Sequence, residues 1–259
     1  MRITKKRMSN MKDITFIFPV YNLSTKDRQD KLSAAYKSLG KGAKVLFVGK
    51  KEDLDLVTFK GVIKVENDDT SYPAQVMKGV SLVETKFFSV VEQDDYVDSR
   101  WYDMLDAYVK QHNDEIFAYL PLTELVDFNS EEVIGYANEA FWASSFSEEI
   151  GYLDIHALEL YLTFNVHGGV FKTEEFKALG GLKTSMKLSF WYEFLFRALY
   201  KQKQIFVIPR IGYYHRVNVP DSLTDEYTKT MSEKEADWWI ELAKKEYFFP
   251  QDRKKTYEE

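Results

Sequence analysis

The 259-residue sequence contains no cysteine. Disulfide bonds, thiolate metal sites and cysteine nucleophiles are therefore excluded, and the redox compartment is left open. The sequence also lacks any apolar run long enough to span a bilayer, and its N-terminus is too polar for a signal peptide. From these absences we expect a cytoplasmic protein without a transmembrane segment.

The sequence has fewer basic than acidic residues, with 35 Lys and Arg against 41 Asp and Glu, and a net charge of -6. This balance argues against a broad nucleic-acid surface but leaves a local one open. Residues 1–12 form a basic N-terminal tail, which is either simply solvated or suited to an anionic surface or polyanionic acceptor. The remaining length is enough for one large domain, 13–225, and a C-terminal helical extension, 226–259.

Strand and helix patterns alternate along the chain, which predicts an α/β protein with a mostly parallel, doubly wound sheet flanked by helices. Pro121 weakens the case for a central strand in the extended segment 115–126. A strand is predicted over 163–171, where it runs into two glycines. The other predicted strands are 14–18, 44–49, 62–65, 87–91 and 204–209, and the main predicted helices are 27–39, 71–83 and 189–201.

The segment 87–91 is an unbroken apolar run that stops at a group of carboxylates. A run this short and rich in Val and Phe predicts a strand buried on both faces. The acids that follow are Glu92, Asp94 and Asp95. Ligands of open α/β sheets bind at the carboxyl ends of strands, so we interpret these acids as a ligand and metal platform. The alternative is an exposed turn that caps the helix beginning near Ser99.

Three later features each leave two interpretations open. Two adjacent glycines, Gly168 and Gly169, either let a ligand approach the backbone closely or make a tight bend. Glu193 lies four residues before Arg197 on a helix, so an i,i+4 ion pair competes with a catalytic role. A capping-box pattern at Ser232 and Glu235 predicts the start of a C-terminal amphipathic helix. Its tryptophans either touch a membrane surface peripherally or pack back on the domain.

The order of these parts resembles the family 2 glycosyltransferases with the GT-A fold, over roughly residues 13–224. The segment 18–22 (FPVYN) resembles the strand-end motif that contacts the nucleotide base in that family. The segment 92–95 (EQDD) is similar to its acidic signature, with Glu in place of the usual first Asp. The segment 167–169 (HGG) resembles the glycine-bearing segment beside the donor sugar. The segment 213–216 (YYHR), followed by 222–224 (SLT), resembles a late segment whose His can bind metal.

The resemblance implies a Rossmann-like fold with a mixed and mostly parallel sheet. It also implies a set of site residues. Asp95 and His215 would hold Mn²⁺ or Mg²⁺ on the donor diphosphate, since carboxylate and imidazole ligands suit these ions. For His215, a buried ring hydrogen-bonded to backbone is the alternative. Glu193 would be the catalytic base. The nucleotide-sugar donor would contact Pro19, Tyr21, Asn22, Gln75, Glu92, Gln93, Asp94, His167, Gly168 and Gly169.

The sequence departs from the family pattern in two places. In the family, the second strand ends in an acidic turn that reads the base. Here 49–51 (GKK) intervenes before Glu52 and Asp53. We keep a uridine nucleotide as the expected donor. The family's catalytic acid belongs to an acidic pair that opens the helix near residue 190. Here Glu193 is the only local acid, and its register is a residue or two off.

We therefore expect an inverting, metal-assisted glycosyltransferase that moves a sugar from a UDP-sugar to an acceptor hydroxyl. The acceptor expected from the resemblance is a glycan or a lipid-linked sugar, and a hydroxymethylated base in DNA stays open. A non-catalytic nucleotide-sugar-binding module is a further alternative, given the departures at residues 50 and 191. A nucleotidyltransferase would need a glycine-rich phosphate loop after the first strand, which 19–22 (PVYN) is not.

Overall fold

A computed structural model describes residues 11–142, 150–161 and 164–258, so the predicted basic tail lies outside the described residues except for 11 and 12. Within these ranges the strands are β1 Ile14–Pro19, β2 Lys44–Gly49, β3 Ile63–Glu66, β4 Phe87–Val90, β5 Tyr96–Val97, β6 Ala118–Asp127, β7 Val133–Ala137, β8 Val170–Lys172 and β9 Ile205–Val217. The α-helices are α1 Lys26–Ser38, α2 Lys51–Leu56, α3 Tyr72–Ser81, α4 Ser99–Gln111, α5 Ile155–Leu160, α6 Thr173–Ala178, α7 Phe190–Tyr200, α8 Leu223–Thr230 and α9 Glu233–Glu246.

These strands form one sheet in the order β3-β2-β1-β4-β8-β6-β9-β5, with β7 paired to β6. The first four are parallel, and β1 is buried along its whole length. Its Ile17 belongs to one apolar core with α3, α7 and α9, whereas Phe16 and Phe18 belong to another with α1 and α4. Because side chains alternate across a strand, β1 supplies both cores.

The second half of the sheet differs from the expectation for Pro121. This residue lies within β6, between β8 and β9, rather than at an edge. The pairing of β6 with β9 shifts register between Pro121 and Leu122 and again between Leu122 and Thr123. A bulge relaxes the ladder at this point, which is the usual way in which a strand within a sheet accommodates proline.

The glycine-bearing segment also differs from its prediction. The described part before the glycines, residues 164–166, is not a strand, and β8 begins only at Val170. Residue 163, where the predicted strand starts, lies outside the described ranges. The apolar residues before the glycines therefore lead into a turn that precedes a short antiparallel strand beside β4.

The C-terminal helix packs back on the domain, which is one of the two interpretations that the sequence left open. Ser232 caps α9 by accepting a hydrogen bond from the Glu235 N–H, at the predicted position. Trp239 and Ala243 are buried in the core that α7 also lines. Helix α8 spans the predicted boundary at 225/226, so the boundary falls inside a helix. None of the helices in the described residues is both long and apolar enough to cross a membrane.

Candidate functional site

A cavity of about 410 Å³ opens where β1 and β4 end. Its other walls come from the first turn of α1, the segment 187–191 that leads into α7, and residues 219–227, which we call the strap. The carboxyl ends of the parallel strands β1 and β4 meet at the same edge of the sheet, and this cavity lies there. The predicted site residues that line it are Pro19, Tyr21, Gln75, Glu92, Gln93, Asp94 and His167.

The loop after β1 is fixed by side-chain amides. Gln93 accepts a hydrogen bond from the Tyr21 N–H at 2.9 Å and donates to the Tyr21 carbonyl at 2.8 Å. Gln75, buried in α3, donates to the Val20 carbonyl at 3.3 Å. Both side chains replace backbone partners that the loop lacks, so the Tyr21 side chain is presented to the cavity from a rigid loop.

Asn22 is not among the residues that line the cavity, and its backbone N–H is bound to Asp53. The Asp53 carboxylate accepts hydrogen bonds from the N–H groups of Asn22 and Leu23, at 3.1 and 2.6 Å. Asn22 adopts a left-handed conformation, with φ of 53°, at this turn. The acidic residue that follows the second strand therefore serves the loop backbone here.

Gly168 and Gly169 form a tight bend and do not line the cavity. Gly168 has φ of +70°, and a Cβ there would lie 2.4 Å from Cδ2 of Tyr213. The Gly168 N–H donates to the Val90 carbonyl at 2.9 Å, which ties the bend to the end of β4. The glycines are thus required by packing and by the turn, and their effect on the cavity is to place His167.

The acids after β4 are held by two histidines and by β9. His167 Nε2 lies 2.7 Å from Glu92 Oε1, and His215 Nδ1 lies 2.8 Å from Asp95 Oδ2. The other Asp95 oxygen accepts from the Arg216 N–H at 2.7 Å, and Asp95 is fully buried. The acids do not cap the helix that follows, because the N-cap of α4 is Asp98; that alternative is wrong.

Crowding of charge shifts the pKa values in this cluster. Burial, together with the charges of Asp95 and Glu92, raises the pKa of Asp94 to about 8. Burial favours neutral His215, but the charge and hydrogen bond of Asp95 and the charge of Glu92 outweigh it and raise the His215 pKa to about 10. Burial likewise opposes ionised Glu92, but the charge and hydrogen bond of His167 lower its pKa to about 2. Asp94 and His215 therefore retain their protons near neutral pH in the metal-free protein, and a divalent cation that binds His215 would release the proton of its imidazole.

Three side chains of this cluster could hold a divalent cation. Ligand atoms of Glu92, Asp95 and His215 all lie within 4.8 Å of one another. Two carboxylates and one imidazole form a donor set that suits Mn²⁺ or Mg²⁺. Glu92, which the sequence indicated only as a donor contact, therefore joins the two predicted metal ligands in space.

Glu193, predicted as the catalytic base, lies elsewhere. It is fully buried in α7, with its carboxylate 2.8 Å from Arg197 Nη2 and 3.1 Å from Lys183 Nζ, and it does not line the cavity. The structure therefore contains the i,i+4 ion pair between Glu193 and Arg197, which was the alternative to a catalytic role. A carboxylate held by two buried cations and closed off from the cavity cannot reach an acceptor hydroxyl, so the geometry corrects the catalytic assignment.

The start of α7 faces the cavity with apolar side chains. Phe190 and Trp191 line it, and Tyr72 stacks on Phe190 with ring centroids 5.5 Å apart. Ser189, the N-cap residue, is left-handed with φ of 59° and makes no side-chain cap hydrogen bond. Where the resembled family has an acidic pair, this chain therefore presents two aromatic rings.

Sequence reasoning missed two parts of the site. Arg28 lines the cavity, and its guanidinium donates to the carbonyls of Pro220 and Asp221 at 2.8 and 3.1 Å. Tyr21 Oη donates to Glu226 Oε1 at 2.7 Å. These hydrogen bonds join residues that are 192 to 205 positions apart in the sequence and fix the strap over the end of β1, and no local pattern signals them. Only residues 222–224 of the strap were singled out, as part of the late segment.

No protein-family model and no curated protein matches this chain. Among solved structures it is similar to S. aureus TarS 1-349, at 15% identity and a TM-score of 0.55, covering 92% of this chain and 80% of that chain. The same protein in complex with UDP is 14% identical with a TM-score of 0.54, covering 92% and 80%. In complex with UDP-GlcNAc it is 15% identical with a TM-score of 0.56, covering 91% and 73%.

This likeness concerns the fold. The mixed α/β architecture, with a curled and mostly parallel sheet flanked by helices, is the GT-A glycosyltransferase fold. The fold predicted from the sequence resemblance is confirmed. The cavity at the ends of β1 and β4 lies where open α/β sheets bind ligands.

Proposed function

We propose that the protein is a glycosyltransferase that transfers a sugar from a UDP-sugar donor to an acceptor hydroxyl. The observation that carries the proposal is the convergence of seven of the ten predicted donor residues, from four separate segments of the chain, on one cavity of about 410 Å³. Such a volume is typical of small-molecule sites. The UDP and UDP-GlcNAc complexes of S. aureus TarS support the same donor class.

In this proposal the uridine lies against the end of β1, between the rigid loop carrying Tyr21 and the strap. Arg28 adds a positive charge at this end, and its described partners are neutral carbonyls. An anionic nucleotide gains from a cation whose charge is not already compensated. The sugar then points toward the wall formed by Phe190 and Trp191.

Glu92, Asp95 and His215 would hold Mn²⁺ or Mg²⁺ beside the diphosphate. Such an ion would neutralise the negative charge that develops on the leaving diphosphate. The chain's own residues hold the cluster in place: His167 orients Glu92, and the backbone of Arg216 orients Asp95. Tyr213 completes this support, because its hydroxyl accepts a hydrogen bond from the Glu92 N–H at 2.9 Å.

The acceptor is a glycan or lipid-linked hydroxyl that attacks the anomeric carbon as the diphosphate leaves, and one in-line displacement inverts that centre. The hydroxyl proton must pass to a base, a step that typically contributes about a hundred- to ten-thousand-fold. We assign this base to the carboxylates that line the cavity, and not to Glu193. Apart from Glu92, which would hold the ion, these carboxylates are Asp27, Asp94 and Asp221.

Thermal denaturation with candidate donors tests the proposal. UDP-GlcNAc and other UDP-sugars, each with and without Mn²⁺, should raise the melting temperature, since a ligand at 100 times its Kd stabilises by about 2.7 kcal/mol. Glu92→Gln should weaken the effect of Mn²⁺. Glu84→Gln, at a side chain that is 88% exposed, is the matched control. Equal shifts from UDP-sugars and from adenosine nucleotides, or none from either, would contradict the proposal.

A second candidate function is favoured by the aromatic start of α7. Without an acid at that position, the cavity could bind a nucleotide sugar and not turn it over, as a non-catalytic binding module. The two candidates separate in one assay, in which UDP release is followed over many hours with a stabilising donor and candidate acceptors. Release above the no-enzyme rate supports the transferase, and donor binding without release supports the module.

A further inference from the structure

The C-terminal residues 246–255 fold back on the domain and form hydrogen bonds with the segment 183–185. Lys183 is buried, and its ammonium donates to the carbonyls of Glu246 at 2.8 Å and Phe249 at 2.6 Å. A buried ammonium needs acceptors for its protons, and the tail supplies two of them as backbone carbonyls. We call this set of contacts the C-terminal clasp.

A second group of contacts extends the clasp toward the cavity. Asp252 Oδ2 accepts hydrogen bonds from the Thr184 hydroxyl at 3.0 Å and from the Ser185 N–H at 3.1 Å. The Ser185 hydroxyl lies within hydrogen-bond distance of two acceptors, the other Asp252 oxygen and the Arg253 carbonyl, the latter at 2.7 Å, which share its one proton. Arg253 in turn pairs with Glu246 at 3.0 Å, which closes the tail on itself. Hydrogen bonds to an ionised carboxylate are among the stronger ones in proteins.

The clasped segment leads directly into the cavity wall 187–191. Lys183, which precedes this wall, binds the tail. The same ammonium lies 3.1 Å from the carboxylate of Glu193, which follows the wall in α7. The wall is therefore anchored at both ends. Between the anchors, Ser189 adopts a left-handed conformation that is unfavourable for a residue with a Cβ. Such a conformation persists only where the surrounding contacts determine it.

We propose that the C-terminal clasp positions the cavity wall 187–191, with Asp252 as a positioning residue that acts through Thr184 and Ser185. The proposal rests on the proposed function in one respect, namely that this wall faces the donor sugar and the acceptor. Uridine lies at the opposite end of the cavity. Releasing the clasp should therefore impair sugar binding and turnover and leave the binding of UDP itself unchanged.

Variants of Asp252 in the full chain test this. Asp252→Ala removes all acceptors, Asp252→Asn keeps one carbonyl oxygen, and Glu258→Gln is the matched control at an exposed tail carboxylate for which no contact is described. Hydrogen exchange of peptides covering 179–191 reports on the wall without any ligand. Calorimetry with UDP and with UDP-GlcNAc, and kcat and KM where turnover is detected, report on the site.

For Asp252→Ala we expect exchange in 179–191 to become about five- to tenfold faster, with a smaller effect for Asp252→Asn and none for Glu258→Gln. We expect affinity for the UDP-sugar, or kcat, to fall about fivefold or more with the Kd for UDP unchanged. Unchanged exchange would overturn the proposal, as would faster exchange with unaltered sugar binding and kcat. If the wild type binds neither nucleotide, the proposed function fails, and the exchange rates alone decide whether the tail holds the wall.

Discussion

Replacement of Glu193 by glutamine should lower stability and not catalytic turnover. The Glu193 side chain is wholly buried, and its two partners, Lys183 and Arg197, are 2% and 1% exposed. Removing one partner of a buried ion pair costs about 3–5 kcal/mol, because the remaining charge is left without compensation. Glutamine keeps the volume and one acceptor oxygen, so we expect the lower end, about 3 kcal/mol, for Glu193→Gln.

This magnitude can be read from the melting temperature. For a chain of this size 1 kcal/mol corresponds to about 2–4 °C, so the variant should melt about 6–12 °C below the wild type. Glu241→Gln, at a half-exposed ion pair with Lys244 on α9, should change the melting temperature by less than about 2 °C. Turnover at a temperature well below both transitions should stay within about threefold of the wild type, because Glu193 does not reach the cavity.

The opposite pattern would refute this reasoning. If Glu193→Gln has the melting temperature of the wild type and its kcat falls about a hundredfold or more, the carboxylate takes part in the chemistry. The ion pair with Arg197 would then be an arrangement that opens during the reaction. Loss of both stability and turnover is resolved by measuring kcat at two temperatures below the transition, since unfolding affects only the higher one.

Three further predictions concern the parts that hold the site. Asp53→Ala, which removes the acceptor of two loop N–H groups, should lower the free energy of unfolding by about 1.5–3 kcal/mol and weaken UDP binding, as urea unfolding and calorimetry will show. Gly168→Ala places a Cβ against Tyr213 at positive φ and should destabilise by more than about 1 kcal/mol in the same unfolding assay. In metal-free protein the pKa of His215 is raised from 6.5 to about 10, so its stabilising contribution is complete below pH 6.5 and is lost as the pH rises to 10. The difference in unfolding free energy between wild type and His215→Gln should therefore shrink across that range.

The parts of the fold that depend on local pattern were predictable from the sequence. The apolar run 87–91 predicted a buried strand, and β4 covers Phe87–Val90. Ser232 and Glu235 predicted the start of α9, because a cap is a contact between near neighbours in sequence. The acids after β4 were predicted to lie at a ligand site, since ligands of α/β sheets bind at the carboxyl ends of strands; Glu92 and Asp94 line the cavity, whereas Asp95 is buried behind it.

The parts that depend on distant contacts were not predictable. For Glu193, the pair with Arg197 was open from the sequence, but its second buried partner, Lys183, is brought beside it only in the folded chain. Asp53 could have been a base-reading acid, and it is the loop after β1 that occupies its carboxylate. Pro121 was judged on strand propensity alone, and the bulge between β6 and β9 that accommodates it depends on the partner strand.

The most direct test of the account is a crystal structure of the protein with UDP-GlcNAc and Mn²⁺. We predict uracil against Pro19 and Tyr21 and the ion bound by Asp95 and His215, with Glu92 beside it. The diphosphate should then lie within reach of that ion. A nucleotide bound outside this cavity, or an ion bound away from these side chains, would contradict the proposed function.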